Sequence, residues 1–163
     1  METIKTIMVA LGFSHYCADL FRYASRLAEN LDADLLAASV INARDVTAVG
    51  RVVSMGFAVD GEHYVESIRS ERLELLERYV QESGFPANRV RSIIRVGNPL
   101  DELVKMTISE DVQMLVMGVR GRSDLEHIFV GSIAEKLFRR SPVTIVSYRD
   151  DTSARRLRKR ISL

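Results

Sequence analysis

The chain has 163 residues, 47% hydrophobic and 28% charged, with 23 basic and 22 acidic side chains for a net charge of +1. That is the make-up of one soluble domain able to bury a core of its own. The lone cysteine, Cys17, excludes an intramolecular disulfide and fits a reducing compartment. No apolar run reaches the length of a membrane span, and the opening run is too short and too charged at its flanks for a signal peptide. The expected location is cytoplasmic.

In chain order the pattern alternates strand and helix. Ile4 to Leu11 reads as a buried parallel strand. Ser14 is positioned to cap a helix with the apolar face Cys17, Leu20, Phe21, Ala24, Leu27, Ala28 and Leu31. Asp34 to Ile41 is a second strand. Residues 43–60 hold Gly50, Gly56 and apolar residues without a clear period, and read as a long mobile connection. From Gly61 to Ser83 runs a helix turning Val65, Ile68, Leu75, Leu76, Tyr79 and Val80 inward, with Gly84 ending it. Arg89 to Val96 is a third strand. Asn98-Pro99-Leu100-Asp101 is a helix start with Asn98 as N-cap and Pro99 at the first position; that helix ends near Ser109. Val112 to Met117, Gly131 to Arg140 and Val143 to Tyr148 complete the series as strand, helix and strand. Short turns in a repeating β-α order imply an α/β fold, a parallel sheet with right-handed crossovers and helices on both faces. In such sheets ligands bind outside the carboxyl ends of the strands, where the strand order reverses.

The chemistry is concentrated after the fourth strand. Gly118, Gly121, Gly131 and Ser132 follow the spacing Gly-x2-Gly-x9-Gly-Ser, with Arg120 and Arg122 beside Gly121. Glycines let backbone N–H groups turn toward an anion, and the loop ends at a helix N-terminus where unpaired N–H groups and the dipole favour negative charge. Ser132 adds a hydroxyl donor, and the two arginines are placed to neutralise phosphate. An ordinary turn followed by a helix would use the same glycines.

At these residues the chain resembles the universal stress protein family, whose signature Gly-x2-Gly-x9-Gly-Ser/Thr follows the fourth strand and binds ATP phosphates. LVMGVRGRSDLEHIFVGSIAEKLFRRSPVTIV is similar to the family's C-terminal third, RVGNPLDEL to the turn after its third strand, and TIMVALGFSHYC to its opening strand and turn. The resemblance implies a single-domain, nucleotide-binding type over residues 1–148. The implied fold is a five-stranded parallel sheet, Rossmann-like (adenine nucleotide alpha hydrolase-like), with strand order 3-2-1-4-5. It implies ATP, AMP or ADP as ligand, with a divalent metal only in company with the nucleotide. It also implies a homodimer made through the last strand, Val143 to Tyr148. The implied site comprises Ala10, Leu11 and Gly12, Val40 and Ile41 around the base, and Met117, Gly118, Arg120, Gly121, Arg122, Gly131, Ser132 and Ile133 around the phosphates. Ala10, Leu11, Val40 and Ile41 are also what any parallel strand buries.

One position departs from the family. Where nucleotide-binding members usually carry an aspartate that contacts the nucleoside, this chain has Gly12. Losing a hydrogen bond to a charged acceptor costs about 1.5–3 kcal/mol, roughly 10- to 150-fold in affinity. Asn42 and Asp45 are the nearby polar substitutes. Gln113, where the family often has Asp, falls at the far end of the fourth strand, away from the chemistry.

No Gly-x-Ser-x-Gly, Cys-x-x-Cys or Walker-type Gly-Lys-Ser/Thr motif occurs, and His15, His63 and His127 lack metal-ligand spacing. The expectation is a binding protein acting in stress response or signalling, catalysing nothing or at most a very slow ATP hydrolysis. The alternative is a family member that does not bind nucleotide and acts as a dimeric interaction module; Gly12 is its support. Residues 149–163 hold six basic and two acidic side chains, so the preceding 148 keep 17 and 20. This basic tail reads as a frayed, solvated end or as a weak polyanion contact.

Overall fold

The computed structural model describes residues 3–54, 61–119 and 132–161. Five strands, β1 (Thr6–Ala10), β2 (Asp34–Asn42), β3 (Val90–Gly97), β4 (Met114–Gly118) and β5 (Thr144–Tyr148), form one sheet in the order 3-2-1-4-5. Every pairing is parallel, with Ala10 of β1 level with Ala38 on one side and Met117 on the other. The helices are α1 (Cys17–Leu31), α2 (Ala43–Ser54), α3 (Gly61–Ser83), α4 (Pro99–Ser109), α5 (Ser132–Arg140) and α6 (Asp151–Arg158).

Alternation along the strands splits the core into two layers. Ile7 and Val9 pack with Leu20, Phe21 and Ala24 of α1 and Leu76 of α3. On the other face Met8, Leu36 and Ala38 meet Leu103 and Met106 of α4 and Ala134 and Leu137 of α5. The sheet is thus covered on both sides, as the β-α alternation requires. Gln113 serves the fold rather than the chemistry. Its Oε1 accepts from the Lys5 and Thr6 amides at 3.0 and 2.9 Å, pinning the start of β1 to that of β4.

Local signals hold at several boundaries. Gly84 takes a left-handed φ of +71° just past α3. Asn98 accepts from the Leu100 and Asp101 amides at 3.0 and 3.3 Å, with Pro99 opening α4.

Four expectations are corrected. Ser14 is not the N-cap of α1. Phe13 adopts φ +54°, and a turn closed by the Cys17 amide on the Ser14 carbonyl (2.9 Å) puts Tyr16 in that place. Leu31, assigned to the buried face, is exposed because Asp32 turns the chain left-handed immediately after it. Residues 43–54 are helix rather than loose connection. Gly50 and five β-branched residues lower the intrinsic propensity of α2, which instead rests on α3 and the ends of β2 and β3; residues 55–60 lie outside the described part. The tail does not fray directly after β5. The Asp150 carboxylate accepts from the Ser153 amide at 2.9 Å and its hydroxyl at 2.6 Å, and Arg155, Arg156 and Arg158 occupy the last turn of α6, where cations oppose the helix dipole.

The inward set predicted for α3 is also thinner than expected. Of the six residues named, Leu76 alone is buried; the others are half-buried, and the second buried side chain of the helix is Arg72.

Removing the cap in Asn98→Ala should lower unfolding free energy by about 1 kcal/mol. Urea denaturation should show an earlier midpoint with an unchanged slope; an unmoved midpoint would mean that Pro99 alone sets the start of α4.

Candidate functional site

The strand order reverses at β1, which has β2 on one side and β4 on the other. Connections leave β1 and β4 toward opposite faces, so no crossover covers the gap between their carboxyl ends. A cavity of about 440 Å³ opens there. Its floor comes from Ala10, Leu11 and Gly12 after β1, Ser39 and Val40 of β2, and Met117, Gly118 and Val119 of β4. The first turn of α5 contributes Ile133 and Ala134 to the wall.

Of the residues expected at the site, Ala10, Leu11, Gly12, Val40, Met117, Gly118 and Ile133 are gathered around this one space. Ile41 is not. It follows Val40 on a strand, so it points to the opposite face of β2 and is buried there. Ser132 begins α5 at the same end of the sheet. Arg120, Gly121, Arg122 and Gly131, and with them the nine-residue loop and His127, lie outside the described residues. His15 and His63 are exposed and do not line the cavity.

The polar lining is richer than the sequence suggested. Asn42 and Asp45, the two substitutes considered for the missing aspartate, both border the cavity from the end of β2 and the first turn of α2. Tyr148 and Asp150 approach from the end of β5. Burial, reinforced by the carboxylates of Asp19, Asp151 and Asp150, pushes the Tyr148 phenol above its ordinary pKa, so it stays protonated as a donor through neutral pH. Cys17 lines the cavity as well, buried with its Sγ 3.8 Å from the Ser14 hydroxyl.

Arg72 was missed altogether. This α3 side chain is only 4% exposed, donates to the Ser39 hydroxyl at 2.9 Å, and holds its guanidinium 5.5 Å from the centre of the Phe13 ring. Ser39 in turn donates to the Leu11 carbonyl at 2.8 Å. The guanidinium is therefore tied to both neighbours of Gly12. A signal existed: Val65, Ile68, Arg72, Leu76 and Tyr79 follow helical spacing, so Arg72 occupies an apolar register of α3.

The match to known proteins agrees with this architecture. The model of the Universal stress protein family matches residues 3–149. The chain belongs to that family. Universal stress protein YxiE of Bacillus subtilis is 27% identical over 146 residues, 86% of this chain and 97% of that one. Universal stress protein MJ0577 of Methanocaldococcus jannaschii is 34% identical over 77 residues, a match that spans 46% of each chain. Its solved structure aligns over 92% of this chain and 99% of its own with a TM-score of 0.74 at 22% identity. A universal stress protein solved in complex with cAMP aligns over 91% of this chain and 98% of its own, TM-score 0.62 at 19% identity. The universal stress protein from Archaeoglobus fulgidus in complex with dAMP aligns over 91% and 100%, TM-score 0.59 at 16% identity. At these identities the structural matches establish the shared fold.

Gly12 leaves the end of β1 without a side chain at the edge of the cavity. A Cβ built there meets no atom of the described residues within 4 Å, and its φ lies outside the left-handed region. Gly12→Ala should therefore change unfolding free energy by less than about 0.5 kcal/mol. Thermal or urea unfolding checks this; a loss well above that value would mean the glycine serves the backbone rather than the cavity.

Proposed function

We propose that this universal stress protein is a cytoplasmic module that binds an adenine nucleotide in the crevice between β1 and β4 and acts in stress response or signalling by binding rather than by catalysis. The observation that carries the reading is the cavity itself. It lies where the strand order reverses, its walls offer apolar surface from Ala10, Leu11, Val40 and Met117, and the start of α5 borders it. The solved relatives with cAMP and dAMP support an adenine nucleotide as the ligand class.

In this reading the base lies against Ala10, Leu11 and Val40. Asn42 and Asp45 stand closest to a role for the ribose. The phosphates run toward Gly118, the glycine-rich segment and the Ser132 end of α5, where helix N–H groups and dipole favour anions. Among the described residues no group of three or more His, Cys, Asp and Glu side chains is arranged to hold a metal. A divalent cation therefore enters the proposal only as a companion of ATP phosphates. Any hydrolysis is proposed to be very slow; among the described residues the carboxylates lining the cavity are Asp45, in the first turn of α2, and Asp150, just after β5.

Calorimetric titration with ATP and AMP should give saturable binding to the wild-type protein. Gly131→Val should abolish it with the fold retained, because a β-branched side chain blocks close approach of backbone to phosphate. If folded Gly131→Val binds ATP as the wild type does, the phosphates lie elsewhere.

The second reading, a dimeric interaction module, is favoured by β5. It ends the sheet order with no strand paired to its outer edge among the described residues, and Phe138 of the adjacent α5 is 48% exposed. An edge strand without proline is a natural pairing surface, and pairing two copies of β5 about a two-fold axis gives a closed homodimer. Sedimentation at micromolar concentration should show a dimer for the wild type and a shift toward monomer for Ile145→Pro, which removes a ladder donor. A monomeric wild type would exclude this assembly.

A further inference from the structure

A run of positive charge without opposing carboxylates is carried by α6 and the turn that closes it. From Arg155 to Arg160 five of six side chains are basic, none is acidic, and all five are exposed. No ion pair among the described residues engages any of them. They stand on ordered backbone. Asp150 caps α6, and the amides of Lys159, Arg160 and Ile161 close on the carbonyls of Arg155, Leu157 and Arg158 at 3.2, 3.0 and 3.2 Å. Ser153 is buried and Ala154 and Leu157 are half-buried, so the helix rests on that face. At about 100° per residue, the five cations fan over roughly 200° of the other side. Four of them are arginines, whose planar forks fit phosphate.

The apolar pattern argues against a membrane. An interfacial helix needs a broad apolar face to sink below the headgroups, whereas α6 turns its apolar side inward. Past its end Ile161, 65% exposed, is a single apolar side chain. The surroundings of the root of α6 favour a polynucleotide strand. Tyr148 ends β5 three residues before α6 begins, and its ring lies 5.1 Å, centre to centre, from that of Tyr23 on α1. Tyr23 is itself 40% exposed. Cations beside an exposed aromatic ring are the combination that single strands use: the backbone tracks the charge and a base stacks on the ring. A duplex, whose bases already stack on one another, can use the cations alone.

We propose that α6, with Tyr23 at its root, docks single-stranded RNA, the cations holding the phosphate backbone and Tyr23 stacking a base. RNA is the occupant because its loops and ends present unstacked bases. The inference stands apart from the nucleotide reading of the cavity, since neither Tyr23 nor any of the five cations lines it.

The test follows binding of a short labelled oligouridine to the full chain by fluorescence anisotropy across a salt series. With all five cations engaged, log K should fall against log salt with a slope of about −3.5, roughly 0.7 for each phosphate neutralised. A full chain carrying Arg155→Gln, Arg156→Gln, Arg158→Gln, Lys159→Gln and Arg160→Gln keeps helix-forming side chains in α6. It should bind at least about tenfold more weakly at low salt, with little salt dependence left. Tyr23→Ala should lose about fivefold or more, the least that one stacked base contributes, with the slope unchanged. Tyr23→Phe should bind as the wild type does, and duplex RNA should not distinguish Tyr23→Ala from the wild type. Absence of oligouridine binding at low salt overturns the inference, as does undiminished binding by the glutamine variant. Wild-type affinity in Tyr23→Ala overturns the assignment to a single strand. Tighter binding to phosphatidylserine vesicles than to oligouridine at the same salt overturns it in favour of a membrane.

Discussion

The parallel enclosure of β1 is the constraint from which the rest follows. Ile7, Met8 and Val9 are wholly buried, with strands on both sides and helices on both faces, so β1 has no freedom to shift register. A slip by one residue would exchange the two core layers, placing Met8 against α1 and Ile7 against α4. Gln113 adds a polar lock at the amino end of the same strand. With β1 fixed, its carboxyl end is fixed too, and the crevice beside it is a consequence of the strand order rather than of any side chain placed there.

What the side chains decide is the character of that crevice. Its apolar floor is continuous with the core: Ala10 and Val40 pack onto the layer formed by Met8, Leu115 and Met117. Its polar groups come from outside the sheet. Arg72 arrives from the middle of the long α3, Asp45 from α2, and Tyr148 and Asp150 from the end of the last strand. A buried guanidinium needs partners to offset its lost hydration. Here the Ser39 hydroxyl and the Phe13 ring supply part of that, and Phe13 reaches its place through a left-handed backbone that a non-glycine residue adopts at some cost. The turn after β1 thus trades backbone strain for the placement of a charge.

The two segments with the weakest periodic pattern show how far tertiary contacts override local preference. In α2, β-branched residues and Gly50 oppose a helix, yet the segment lies between the end of β2 and the side of α3, where partly burying Val46 and Val49 favours one. In α6 the balance is local. The Asp150 cap and the basic last turn suffice to set the helix without an apolar stripe, leaving Arg155, Arg156, Arg158, Lys159 and Arg160 exposed around it.

By itself the sequence determined the alternation of five strands with helices, the cap at Asn98 and the end of α3 at Gly84, because hydrophobic period and capping chemistry are properties of neighbouring residues. The strand order, the place of the crevice and the missing polar group at Gly12 followed from the resemblance to the family. Only the tertiary structure decided that Arg72 fills that neighbourhood, that Ile41 turns away from it while Val40 faces it, and that residues 43–54 wind into a helix. Each of these depends on pairs far apart in the chain, such as Arg72 with Ser39, 33 residues away. A one-dimensional pattern records which face of a helix is apolar, but not which strand end that face will meet.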